Sequence, residues 1–141
     1  MILYLDTSSL VKLYVEEEGS EAVRSQVSRA AFVATSMIAY VEARAAFARK
    51  RREGGVSEDE CGRVVDEFRR EWGTYLAVEV SEAIVTVAGD LAEGHDLRGF
   101  DAMHLASALA LRDKMQSPVV FSCADRRLTE AAAALGLSLP D

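Results

Sequence analysis

The sequence predicts a single three-layer α/β domain with a mainly parallel central sheet, spanning residues 1–141. Three observations carry that reading. Short apolar runs alternate along the chain with longer segments of helical periodicity, the order that builds strand–helix–strand units. The first run, Ile2-Leu3-Tyr4-Leu5, is apolar throughout rather than alternating, as expected of a strand covered on both faces. No repeat, low-complexity stretch or linker divides the 141 residues, a length that one domain accommodates with a sizeable core.

Each element follows from local chemistry. Residues 2–5 are the first strand, after which Ser8 or Ser9 can cap a helix carrying Leu10, Leu13 and Tyr14 that stops near Gly19. A short helix over residues 20–29 comes next. Phe32-Val33-Ala34 is a second strand, and Thr35 or Ser36 can cap a long helix that runs to about Arg52 and stops at Gly54-Gly55. Ser57 and Glu60 form an S-x-x-E capping box opening a helix with Cys61, Val64, Val65, Phe68 and Trp72 along one side. Leu76 to Val80 is a third strand, followed by a helix through Ile84, Val87, Ala88 and Leu91 and a loop over residues 94–100. Asp101 to about Lys114 is an alanine- and leucine-rich helix and Pro118 to Ser122 a strand. A helix over 125–134 then ends at Gly136, and a last short strand covers Leu137 to Leu139.

Composition narrows the function classes. Half the residues are hydrophobic and 28% charged, the profile of an ordinary globular protein. No window is long and apolar enough for a membrane span, and Asp6 interrupts the only apolar N-terminal run, so the expected compartment is the cytoplasm. Cys61 and Cys123 match neither zinc spacing nor a disulfide framework and read as reduced thiols. A net charge of −7 argues against broad affinity for nucleic acid, although it permits a local basic patch and suits a cationic partner.

Against that background four acidic residues stand out. Asp6 ends the first apolar run and Asp125 lies just beyond Val119-Val120-Phe121, so both fall where an open parallel sheet binds ligands, outside the carboxyl ends of its strands. Glu42 follows Ile38 by four residues and precedes Ala45 by three, which puts it on an apolar helix face. Asp101 leads a stripe of Leu105, Ala108 and Leu109 from the first turn of its helix, where the dipole favours an anion. Taken singly, each aspartate reads equally well as a helix cap and Glu42 reads better as an ion-pair partner of Arg49. Together they suggest converging carboxylates, which repel one another unless a cation lies between them.

The words around these acids are familiar. Leu5-Asp6-Thr7-Ser8-Ser9-Leu10, Glu42 after Ser36, Phe100-Asp101-Ala102-Met103-His104-Leu105-Ala106 and Asp125-Arg126-Arg127-Leu128 resemble the PIN-domain ribonucleases, most of all the VapC-type toxins of toxin–antitoxin pairs. The resemblance covers essentially the whole chain in order. It implies that Asp6, Glu42, Asp101 and Asp125 are the catalytic, metal-binding quartet, and that Thr7 or Ser8 is the hydroxyl residue following the first acid. It departs at Cys123, where the family often has a threonine, a stronger hydrogen-bond donor than a thiol.

All-oxygen ligands suit Mg²⁺ or Mn²⁺, and such ions generate a hydroxide nucleophile and stabilise the departing oxygen of a phosphodiester. The resemblance further implies RNA as substrate, products with a 5′-phosphate, a cognate antitoxin and a homodimer. Asp6 is then the central ligand, Asp101 and Asp125 complete the shell directly or through water, and Glu42 ligates through water or orients the nucleophile. The amphipathic helix from residue 57 and the long helix before it would supply the dimer surface. The rival reading is a PIN-like scaffold that binds RNA or protein without cutting it, against which the four intact acids speak.

A receiver-like domain lacks its phosphoacceptor, because the strand from Leu76 ends in Val80-Ser81. A haloacid-dehalogenase-type phosphatase lacks its second aspartate, because Ser8 stands there. His104 reads as a packed, hydrogen-bonded residue rather than a ligand. The run Arg49-Lys50-Arg51-Arg52 reads first as a favourable helix C-terminus. Its second reading is contact with RNA phosphates, aided by Arg44, Arg126 and Arg127.

Overall fold

The computed structural model describes residues 1–141. Strands β1 (Ile2–Leu5), β2 (Phe32–Ser36), β3 (Leu76–Val78) and β4 (Val119–Ser122) form one sheet in the order β3-β2-β1-β4, with every neighbouring pair parallel. The helices are α1 (Thr7–Val11), α2 (Ser20–Arg29), α3 (Ile38–Arg52), α4 (Glu58–Glu71), α5 (Glu82–His95), α6 (Gly99–Met115) and α7 (Arg126–Ala134), with a 3₁₀ turn at Trp72–Thr74. The α/β class and parallel sheet match the expectation from the sequence.

The continuous apolar character of β1 has the predicted cause. Ile2 and Tyr4 point to one face, into a core with Leu105, Phe121, Leu128 and Ala132. Leu3 and Leu5 point to the other, into a core with Leu10, Ala43, Phe47 and Phe68. A third cluster joins Ile84 and Ala88 of α5 to Ala102, Met103 and Ala106 of α6, where the alanines permit close helix approach.

Chain order dictates where the site lies. From β1 the chain moves outward to β2 and β3, then returns to place β4 on the opposite side of β1. The crevice between β1 and β4 is therefore the topological switch point at which such sheets bind ligands. Leu5 lies opposite Ser122, and the backbone amide of Asp6 continues the ladder to the Ser122 carbonyl at 3.1 Å, so Asp6 leaves the sheet beside the end of β4.

Several local expectations are corrected. Asp6 caps α1, so neither Ser8 nor Ser9 does; both fall inside its first turn. Thr35 and Ser36 belong to β2, where the Thr35 hydroxyl donates to the Leu5 carbonyl; Met37 holds the N-cap position of α3 without a side-chain cap, while the Ser36 hydroxyl accepts the Ile38 amide at 3.3 Å. The loop over 94–100 shrinks to residues 96–98 because Asp96 adopts φ +53° and ends α5, while Gly99 already opens α6. Gly94 and Gly99 both lie inside helices. β3 ends at Val78, and the expected strand at Leu137–Leu139 is reduced to a single bridge between Val120 and Ser138. The Ser57 cap is confirmed, its hydroxyl accepting from the Glu60 amide at 3.1 Å.

Candidate active site

The crevice opens into a cavity of about 610 Å³ whose wall includes Asp6, Glu42, Asp101 and Asp125 together. Four positions spread over the chain from residue 6 to 125 are thus brought to one place.

Asp6 performs two tasks with two oxygens. Its Oδ1 accepts the Ser9 amide at 3.0 Å and the Ser8 hydroxyl at 2.7 Å, capping α1, while Oδ2 is left to the cavity. The residue is only 4% exposed. Burial holds its carboxyl above the usual aspartate range, against the opposing pull of the Ser8 hydroxyl and the Ser9 amide. Asp125 repeats the device, with Oδ1 capping α7 through the Leu128 amide at 2.9 Å. Cap and site residue were alternatives in the sequence; in the structure Asp6 and Asp125 are helix caps that also line the cavity.

Asp101 sits in the first turn of α6, though the capping position there is Arg98. Arg98 Nε donates to Asp101 Oδ2 at 3.0 Å, and its Nη2 reaches Asp125 Oδ2 at 3.8 Å.

Glu42 is fixed from two sides. Its Oε1 accepts from Thr7 Oγ1 at 2.5 Å and from His104 Nε2 at 2.8 Å. A carboxylate can only accept, so the imidazole proton sits on Nε2, and Nδ1 is left to accept the Tyr4 hydroxyl at 2.8 Å. Burial pushes the Glu42 carboxyl up, and the His104 and Thr7 hydrogen bonds outweigh it, leaving the group below its ordinary value. Burial keeps the Tyr4 phenol protonated, as its donor role requires.

His104 is therefore packed and hydrogen-bonded as the sequence suggests, yet it also positions a site acid. Arg98, Asp101 and His104 recur at intervals of three on one helix, a periodicity that could have singled them out. Of the basic residues offered as phosphate contacts, Arg49 and Lys50 line the cavity, and Lys50 is tied to Glu17 at 2.6 Å. Arg44 is engaged with Tyr40, Arg126 with Glu130, and Arg127 with the Asp96 carbonyl.

The thiol of Cys123 meets Thr129 Oγ1 at 3.0 Å and the Asp125 carbonyl oxygen at 3.4 Å, and burial pushes its pKa up to about 11. It thus stays a thiol, and Asp125 takes its orientation from the helix cap. Ser122 turns to Ser9, hydroxyl to hydroxyl at 3.0 Å.

The donor set is suited to a hard divalent cation. Asp6, Asp101 and Asp125 each keep an oxygen that no backbone amide or hydroxyl occupies. No three of the Asp, Glu, His and Cys side chains close on a common point tightly enough to cage an ion unaided.

The chain matches the PIN domain family model over residues 3–134. It is 36% identical over 135 residues to Ribonuclease VapC49 of Mycobacterium tuberculosis (strain ATCC 25618 / H37Rv), covering 96% of this chain and 92% of the relative. It is 30% identical over 137 residues to Ribonuclease VapC3 of Pyrobaculum aerophilum, covering 96% and 98%. Among solved structures, FitAcB from Neisseria gonorrhoeae superposes with a TM-score of 0.67 at 16% identity, over 100% of this chain and 97% of that one. VapBC2 from Rickettsia felis, bound to a DNA fragment from their promoter, superposes with a TM-score of 0.63 at 14% identity, over 99% and 97%. At those identities the two structures speak for the fold.

Proposed function

The chain belongs to the PIN-domain family, and from that premise we propose that it is a metal-dependent endoribonuclease, the toxin of a toxin–antitoxin pair. One observation carries the reading: three aspartates from three separate elements, two of them already serving as helix caps, line one cavity together with Glu42, and each keeps an oxygen that no backbone amide or hydroxyl occupies.

Asp6, Asp101, Asp125 and Glu42 would hold Mg²⁺ or Mn²⁺, directly or through water, with Asp6 central because it is the most buried. When bound, such an ion supplies a water acidic enough to attack at neutral pH and offsets charge on the departing oxygen. Glu42 cannot turn away, because Thr7 and His104 grip the same oxygen. Its other oxygen, which carries no hydrogen bond within the protein, would bind the metal through water or orient the attacking water. Arg49, on the cavity wall, offers a cation to RNA phosphates. Water attack breaks the P–O3′ bond and leaves a 5′-phosphate.

The relatives are ribonucleases by name, and one of the similar folds is VapBC2, bound to DNA. This protein accordingly takes a cognate antitoxin, and a cationic segment of that partner complements the acidic cavity. No helix is long and apolar enough to cross a membrane, and the proposed compartment is the cytoplasm. The chain is proposed to act as one domain over residues 1–141 and to form a homodimer.

The test is RNA cleavage by purified protein with Mg²⁺, Mn²⁺ or EDTA, beside Asp6→Asn and Asp101→Asn. Cleavage should require the metal and fall by orders of magnitude in both variants; an active Asp6→Asn protein would refute the mechanism.

A further inference from the structure

Arg98 is an odd residue to start a helix. A cation at a helix N-terminus opposes the dipole, and Arg98 makes no side-chain cap to α6. Its side chain is 80% exposed, so it braces no core. What it does instead is reach across the cavity lip to two of the four acids, 3.0 Å from Asp101 and 3.8 Å from Asp125, each on its Oδ2. Asp125 belongs to another element and Asp6 adds its field from below. One guanidinium thus supplies positive charge where the carboxylates converge. An ion pair this exposed is weakly held and readily exchanged.

We propose that Arg98 is a displaceable counter-ion of the acidic site: it holds Asp101 and Asp125 while no divalent cation is bound and gives them up when one is, leaving its guanidinium at the cavity mouth to take a phosphate of the RNA next to the scissile bond. The proposal rests on the ribonuclease reading above. It gives the protein two states without any backbone movement, since only one solvated side chain exchanges partners. It also lets the same cation lower carboxylate repulsion in the empty site and favour substrate in the loaded one. A planar, forked donor suits both carboxylate and phosphate, which a lysine ammonium does not reproduce.

The experiment uses the full chain as wild type, Arg98→Ala and Arg98→Lys. Calorimetric titration of metal-stripped protein with Mn²⁺, without RNA, should show Arg98→Ala binding about two- to fivefold tighter than wild type, the range set by an exposed ion pair. Arg98→Lys should fall between. The difference should shrink at high ionic strength, as solvent-exposed electrostatics do. In RNA cleavage at saturating Mn²⁺, Arg98→Ala should raise KM severalfold with a smaller change in kcat, and Arg98→Lys should recover only part of the loss. Equal Mn²⁺ affinity of wild type and Arg98→Ala at low salt, in a wild type that binds Mn²⁺ and cuts RNA, overturns this inference alone. An unchanged KM overturns its phosphate-binding half. A wild type that binds no Mn²⁺ and cuts no RNA overturns the ribonuclease reading and this inference with it.

Discussion

At the scale of single residues, the division of labour between the two oxygens of Asp6 makes a sharp prediction. Asparagine keeps an acceptor for the Ser9 amide and caps nearly as well as aspartate. It also removes a buried charge whose ionisation burial disfavours. Asp6→Asn should therefore melt no lower than wild type in EDTA while losing nuclease activity, and Mn²⁺ should raise the wild-type midpoint more than the mutant's. A mutant melting well below wild type in EDTA would show that the charge itself stabilises the fold. Tyr4 makes the complementary case. Tyr4→Phe preserves the stacking on Phe121, at a centroid distance of 5.4 Å, but strands His104 Nδ1 without its donor. A cost of about 1–2 kcal/mol in denaturant unfolding is expected, together with slower cleavage, because the imidazole that grips Glu42 loses its anchor. Full activity in that variant would remove His104 orientation from the account. The four acids were legible in the sequence because strand ends and apolar stripes are poor places for solvated charge. The Tyr4–His104–Glu42 chain was not, since its members lie 100 and 62 positions apart and only the folded sheet brings them together.

At the scale of elements, α4 is attached to the rest of the protein by aromatic packing. The Phe68 ring lies within 5.5 Å of the Tyr14, Tyr40, Phe47 and Trp72 centroids. Phe68→Ala should cost about 3–5 kcal/mol, read as a lower denaturant midpoint; a loss below 1 kcal/mol would mean that α4 contributes little to stability. Glu17 links Lys12, just past α1, to Lys50 in the last turn of α3 at 3.0 and 2.6 Å. Burial pushes its carboxyl up, but the two ammonium groups outweigh that and hold it below the ordinary value. A depressed carboxyl stabilises the fold above its unfolded pKa and loses that contribution as pH falls through the folded one. Glu17→Gln should thus melt lower than wild type at neutral pH and equal it in strong acid; a constant gap would assign the effect to packing. Helix and strand order was legible from periodicity, and the Ser57 cap from its box. The errors were at ends, where Asp6, Ser8 and Ser9 all offered a capping oxygen and only the exit angle from β1 selected Asp6. Around α5 and α6 the expected loop over 94–100 is shorter, because the two helices pack closely through Ile84, Ala88, Ala102 and Met103 and extend toward each other to Asp96 and Gly99.

At the scale of the molecule, Cys61 and Phe68 of the α4 stripe are buried inside the chain while Val64, Val65 and Trp72 are half-buried, so part of the stripe stays available for the proposed homodimer. Further exposed apolar side chains include Val41 on α3, Val85 and Val87 on different sides of α5, and Phe100 on α6. A homodimer built there should show twice the 15.3 kDa chain mass by light scattering, and Val85→Glu should shift it to the monomer. A monomeric wild type at micromolar concentration would end that expectation. The topology has one further consequence. β1 is made first but completed last, because its partner β4 begins at residue 119, and Asp6 meets Asp125 only across that pairing. A chain still emerging from the ribosome holds Asp6 and Glu42 without Asp101 or Asp125 until most of its length has been synthesised. The acidic site therefore cannot assemble before β4 has been translated and has paired with β1.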